Sequence, residues 1–241
     1  MKKTVFWVCS LFVLVNASAA PHWEYSGEEG PEHWAELTPE FAACAGKNQT
    51  PIDLHGFIDA NLAPIVFNYK PGGQEVVNNG HTVQVNYAPG STITVDGTVF
   101  ELKQFHFHAP SENLIEGTVY PMEGHLVHVS EKGELAVIAL MFSEGADHPV
   151  IEQAWAQLPE KAGKTARLEK PVNAETLLPV ERDYYRFNGS LTTPPCTEGV
   201  RWLVMKHPVT VSKKEIEAFR MVMHHPNNRP LQAINAREIL R

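Results

Sequence analysis

The chain has 241 residues, 28 acidic against 20 basic side chains, and a formal net charge of −8. So acidic a balance argues against nucleic acid as a partner, because that affinity comes mainly from Lys and Arg neutralising phosphates. At this length the chain can bury a sizeable core, and a single domain of this size is common where strands dominate.

In chain order, Met1-Lys2-Lys3, an apolar run over 5–15 and Ala17-Ser18-Ala19-Ala20 make the three-part layout of a secretory signal peptide. The apolar run is too short for an ordinary transmembrane helix. Cleavage is expected after Ala20, with Ala19 the near alternative, leaving 221 residues and a net charge of −10 once Lys2 and Lys3 are gone. Cys9 lacks the small residues that a lipoprotein site places before it, so no membrane anchor is expected. The leader has a bacterial look, which makes the periplasm the expected location. Cys44 and Cys196 then remain, and two cysteines in an exported protein read as one disulfide. The alternative is a pair of buried thiols. A bridge closing so long a loop stabilises by about 5 kcal/mol at most in the chain-entropy account.

Residues 21–44, rich in aromatics and acids, read as a surface wrap. Strands are expected at 65–69, 82–87, 91–95, 99–108, 125–130, 135–142, 184–188 and 200–206, with Glu131-Lys132-Gly133-Glu134 as a hairpin turn. Helices are expected at 150–158, entered through Pro149, and at 212–223, where Ser212 and Glu215 form a capping box. No linker or repeat divides residues 21–241. The expected fold class is mainly β with short helices, in one catalytic domain.

The most informative stretch is Gln104-Phe105-His106-Phe107-His108. Side chains alternate along a strand, so His106 and His108 share one face while Phe105 and Phe107 enter the core on the other. Gly124-His125-Leu126-Val127-His128 offers His125 from a second strand, with His128 turned away to a structural hydrogen bond. Three neutral imidazoles and one open position make a catalytic zinc site, not a structural one. Such ligands need their second ring nitrogen fixed. Glu123 stands two before His125 and Gln104 two before His106, each on its ligand's face. A bare His-x-His pair would read as chance; His125 with Glu123 turns the balance to metal. His22, His33, His55, His148, His207, His224 and His225 carry no such context and read as surface or structural.

These residues resemble the α-class carbonic anhydrases of bacterial periplasmic type. The likeness runs in order through His22-Trp23 with Tyr25, Gly30-Pro31-Glu32-His33-Trp34, Asn48-Gln49-Thr50-Pro51-Ile52-Asp53, Asn78-Asn79-Gly80-His81, the run 104–108, Ser111-Glu112-Asn113, the run 123–128, Ser190-Leu191-Thr192-Thr193-Pro194-Pro195 and Asn227-Asn228-Arg229-Pro230. The resemblance implies a large twisted, mostly antiparallel central sheet and a Zn2+ cofactor. It implies reversible hydration of carbon dioxide to bicarbonate and a proton by zinc-bound hydroxide. It gives Thr192 and Glu112 the relay that aims the hydroxide, and His81 the proton shuttle, with Tyr25, Asn79 and Gln84 ordering the water between. It makes Val127, Val137, Leu191, Trp202 and Thr193 the substrate pocket and lets the Asn227 carbonyl orient His108. Anions and sulfonamides are the implied inhibitors, and Thr50-Pro51 and Pro194-Pro195 the implied cis bonds. A Cys44–Cys196 bridge would brace the Thr192 loop. Ala109-Pro110 stands where animal members carry Trp-Gly, and His108 and His125 are only 17 apart; both suit the bacterial branch.

The rival enzyme class is the cupin jelly roll, in which His106, His108 and Glu112 would all be ligands. It leaves the 191–195 motif unexplained. A zinc-free binding module and a zinc store are weaker alternatives, since the full set of His106, His108, His125, Thr192, Glu112 and His81 is present.

Overall fold

The computed structural model describes residues 21–241; the expected signal peptide and its cleavage site lie outside the described residues. Among the described residues thirteen strands form, β1 (Asp53–Leu54), β2 (Val66–Asn68), β3 (Gly73–Asn78), β4 (Val83–Tyr87), β5 (Thr92–Val95), β6 (Thr98–His108), β7 (Leu114–Ile115), β8 (Met122–Ser130), β9 (Leu135–Glu144), β10 (Lys164–Val172), β11 (Tyr184–Ser190), β12 (Glu198–Met205) and β13 (Val209–Val211). Three α-helices accompany them, α1 (Trp34–Leu37), α2 (Pro149–Trp155) and α3 (Lys213–Met223).

One eleven-stranded sheet dominates, running β10-β3-β4-β6-β8-β9-β12-β11, with β5 also on β6, β2 on β5 and β13 on β9. Its pairs are antiparallel except β12 and β13 against β9, which matches the fold class expected from sequence. β1 and β7 make a separate parallel pair.

The sequence of β9, Leu-Ala-Val-Ile-Ala-Leu-Met-Phe, is apolar at both parities because both faces of the sheet are covered. Ala136, Ile138, Leu140 and Phe142 enter the larger core; Val137, Ala139 and Met141 enter the smaller one on the opposite face. α2 and α3 pack on the larger-core side, where Phe219 stacks on Trp155 and both meet Phe107 edge-on. Helix α3 buries Ile216, Phe219 and Met223 at helical spacing, and its Ser212–Glu215 capping box is formed in both directions. The buried Glu215 carboxylate also takes the backbone N–H of His148 at the start of α2, tying the two helices together.

Most expected strands form within a residue or three of their limits. β3, β10, β13 and the short β1–β7 pair were not anticipated. Residues 21–45 wrap as short helical turns around Trp34, which is fully buried and donates its indole N–H to the Glu24 and Glu29 carbonyls. Thr50-Pro51 and Pro194-Pro195 are cis as the resemblance implied, and so is Ala109-Pro110.

Candidate metal centre

The site lies on the smaller-core face, in the middle of the sheet. Register places His106 of β6 opposite His125 of β8, and His125 opposite Ala139 of β9. One row along, Gln104, Val127, Val137 and Trp202 stand side by side across four strands. Strand alternation thus brings His106, His108 and His125 together, and one ring nitrogen from each lies within 4.8 Å of the others.

The opposite ring nitrogens are all fixed. His106 Nδ1–H donates to Gln104 Oε1 at 2.8 Å, His108 Nδ1–H to the Asn227 carbonyl at 2.7 Å, and His125 Nε2–H to Glu123 Oε1 at 2.9 Å. That leaves Nε2, Nε2 and Nδ1 facing inward. Burial holds all three imidazoles below the usual histidine range, and their crowding adds to it for His106 and His125. They are therefore neutral, as a metal ligand must be. His108 Nε2 is buried with no hydrogen-bond partner among the described residues. A dication fits this donor set: three neutral nitrogens, pre-turned tautomers, and an orphaned inward atom that an ion would satisfy.

Glu123 is a fully buried carboxylate held by four donors. Besides His125, it accepts from Asn113 Nδ2 and from the backbone N–H groups of Glu112 and Asn113, at 2.7 to 2.8 Å. Glu112 takes the Arg229 backbone N–H at 2.8 Å on Oε1, while Oε2 lies 3.5 Å from His108 Nε2. Burial raises Glu112 well above the ordinary carboxylate range, against the pull of the Arg229 N–H and the Thr192 hydroxyl. The hydroxyl comes near enough to favour the ionised form without closing a hydrogen bond on Oε2.

Val127, Val137, Leu191 and Trp202 belong to one apolar cluster beside the site, and the Trp202 ring meets His125 edge-on at 4.9 Å. The chain 190–198 carries Thr192 and Thr193 between β11 and β12. Cys196, in the left-handed region at φ 55°, is bridged to Cys44, so the disulfide expected from sequence is formed. Gln49 Nε2 donates to the Cys196 carbonyl, and Arg229 Nη2 to that of Cys44.

His81 is half-buried in the loop between β3 and β4, stacked on Trp23 at 3.7 Å between centroids and edge-on to Tyr25 at 6.5 Å. Burial lowers its pKa; Glu24 opposes this, and His22 and His225 add to it. The Tyr25 hydroxyl is buried without a partner among the described residues. Asn79 spends its carboxamide oxygen on the backbone N–H groups of His81 and Thr82. Gln84 sits opposite His106 in register and donates to Asn86. His128 points to the other face, where Tyr69 O–H donates to Nε2 at 2.7 Å and Nδ1–H reaches the Ala136 carbonyl at 3.3 Å. Sequence reasoning gave no role to Asn113, Thr82 or the Arg229 guanidinium, whose partners are far away in the chain.

Comparison with known proteins agrees with this arrangement. The family model for eukaryotic-type carbonic anhydrase matches residues 29–241. A carbonic anhydrase of Pectobacterium carotovorum is 47% identical over 240 residues, covering 99% of this chain and 98% of its own length. The α-carbonic anhydrase of Thermovibrio ammonificans, solved with the inhibitor sulfanilamide, superposes with a TM-score of 0.91 at 47% identity, over 92% of this chain and 100% of that one. A structure from Photobacterium profundum gives 0.87 at 52%, over 91% and 100%. The chain belongs to the α-carbonic anhydrase family, which sets aside the cupin alternative. With all three site imidazoles in place, it is a carbonic anhydrase.

Proposed function

We propose that the chain hydrates carbon dioxide reversibly to bicarbonate and a proton, with Zn2+ held by His106, His108 and His125 and with His81 as proton shuttle. The observation that carries this is the convergence of three neutral ring nitrogens whose opposite nitrogens are each locked by a separate acceptor. Zinc in such a site lowers the pKa of its water ligand to about 7, a magnitude measured on carbonic anhydrase itself.

The chain's own groups do the rest. A hydroxyl both donates and accepts. Thr192, directed at Glu112, keeps its oxygen free to accept from a water in the cleft and so fixes which way that water's lone pair points. In this reading the Thr192 backbone N–H meets negative charge developing on substrate oxygen. Val127, Val137, Leu191 and Trp202, with Thr193 beside them, form an apolar wall suited to a linear, nonpolar substrate. The Cys44–Cys196 bridge braces the loop that carries Thr192. His81, neutral near pH 7 because burial lowers its pKa, can take up a proton delivered through water. Tyr25, Gln84 and the free amide of Asn79 supply polar contacts along that route.

Anions and sulfonamides are the inhibitors this site would bind. Export to the periplasm is part of this reading, on the signal-like start, and the acidic balance gives it no nucleic-acid partner. The test is carbon dioxide hydration by the purified mature chain, with metal analysis, before and after chelation. Zinc bound one to one, with activity lost on its removal and restored by its return, is the expected result. Hydration that survives complete removal of metal overturns the reading.

A further inference from the structure

His81 lies in the four-residue loop 79–82 between β3 and β4, whose last ladder pair is Asn78 and Val83. Bonds inside the loop shape it: Gly80 N–H donates to Asn78 Oδ1, and the N–H groups of His81 and Thr82 donate to Asn79 Oδ1. None of these fixes where the loop stands over β6, the strand that carries two of the three site imidazoles. The β4–β6 ladder ends at Gln84 and His106.

Beyond that point two side chains take over from the ladder. The Thr82 hydroxyl donates to the Phe107 carbonyl at 2.6 Å, and the Phe107 N–H reaches the same hydroxyl oxygen at 3.3 Å. Asn227 Nδ2 donates to the Phe107 carbonyl at 2.9 Å and to the His81 carbonyl at 3.1 Å. Asn227 Oδ1 accepts the Ala109 N–H at 2.9 Å, and its main-chain carbonyl orients His108. Thr82 is 7% exposed and Asn227 fully buried. The His81 loop and the metal strand therefore meet at one carbonyl, that of the residue between His106 and His108. The His81 ring is otherwise held by stacking on Trp23 and an edge contact with Tyr25, and its Nδ1 has no partner among the described residues. Its position thus depends on how its backbone is anchored.

We propose that Thr82 is a positioning residue for proton transfer: its hydroxyl, clasped with the Asn227 carboxamide on the Phe107 carbonyl, sets the height of the His81 loop above the metal strand. This rests on the reading of His81 as the shuttle. Fully satisfied buried networks of this kind specify a single arrangement, and removing one member loosens it.

The experiment compares Thr82→Val, Thr82→Ser and His81→Ala in carbon dioxide hydration at low and high buffer, with the His81 imidazole followed by NMR titration. Thr82→Val keeps shape and removes the clasp; Thr82→Ser keeps the hydroxyl. Thr82→Ala repeats the test should the valine methyl crowd the Phe107 carbonyl. In dilute buffer Thr82→Val should lower kcat about fivefold, the rate equivalent of one ordinary hydrogen bond. Added imidazole should restore it, kcat/KM should stay within about twofold, and Thr82→Ser should behave as wild type. Wild-type kcat for Thr82→Val in dilute buffer, or a kcat/KM that falls in step with kcat, overturns the proposal. If His81→Ala shows no buffer dependence, the shuttle reading fails by itself. The clasp is then judged by titration alone: release should raise the His81 pKa toward its ordinary value in Thr82→Val, and an unchanged value overturns it.

Discussion

The floor of the site, on β6 and β8, and its rim, in the His81 loop, are built on opposite plans. On the floor, each imidazole stands on a central strand and is locked at its second nitrogen, His106 by the Gln104 carboxamide, His108 by the Asn227 main-chain carbonyl and His125 by the Glu123 carboxylate, which Asn113 holds in turn. At the rim, His81 sits in a hairpin loop, half-exposed, with a ring nitrogen that has no partner among the described residues and a stacking contact as its main side-chain restraint. Holding an ion needs fixed tautomers and distances, because a ligand turned the wrong way contributes nothing. Passing a proton to solvent needs a group that can face inward and outward, so the same rigidity would hinder it. The backbone of the rim is pinned by hydrogen bonds, while its ring is held mainly by stacking.

The largest effect that would break this contrast is at Glu123. Glu123→Gln keeps an acceptor for His125 but places an NH2 group where the Glu112 and Asn113 N–H groups now donate. Zinc affinity, measured by competition with a chelator, should weaken by about 10- to 100-fold. An unchanged affinity would mean that the floor is not rigid in the sense argued. A smaller and different effect is expected at the rim. His81→Ala should leave zinc affinity intact and lower kcat in dilute buffer by about tenfold or more, with rescue by imidazole. Because burial lowers the His81 pKa, the wild-type proton-transfer step should reach half its maximum below the pH expected of a free histidine. A titration at or above that pH would show the ring to be solvated.

The floor was far more legible in sequence than the rim or its supports. Alternation in 104–108 and 123–128 gave the face of each histidine, and the i−2 spacing of Gln104 and Glu123 gave their partners. The continuous apolar run of β9 and the Ser212–Glu215 box announced their elements. β10 was missed because Lys-Thr-Ala-Arg-Leu-Glu-Lys-Pro-Val buries little as an edge strand, and its cations and proline suit an unpaired edge. β3 opens on glycine and shows no clean alternation. Arg229, Asn113 and the Asn227 side chain carry no local pattern. Arg229 Nη1 reaches Gln49 across 180 residues and Asn227 Nδ2 reaches His81 across 146, pairings that exist only once the sheet has formed.

The smallest effect on activity, and the sharpest test of which face a residue serves, is at His128. It lies three residues from His125 but on the larger-core side, fully buried against Tyr69 and the Ala136 carbonyl. Burial lowers its pKa from the ordinary 6.5 to about 3. The unfolded chain therefore binds this proton more readily than the folded one. The stability His128 contributes is complete above about pH 6.5 and drains away as pH falls toward 3, at about 1.4 kcal/mol per pH unit. Urea midpoints measured across that window should show this slope in the wild type and lose one proton's worth of it in His128→Gln. Hydration at pH 7 to 8 should hardly change. A variant with the wild-type acid slope would show that protonation is resisted elsewhere, and one with greatly reduced hydration would show that the sheet does not insulate its two faces.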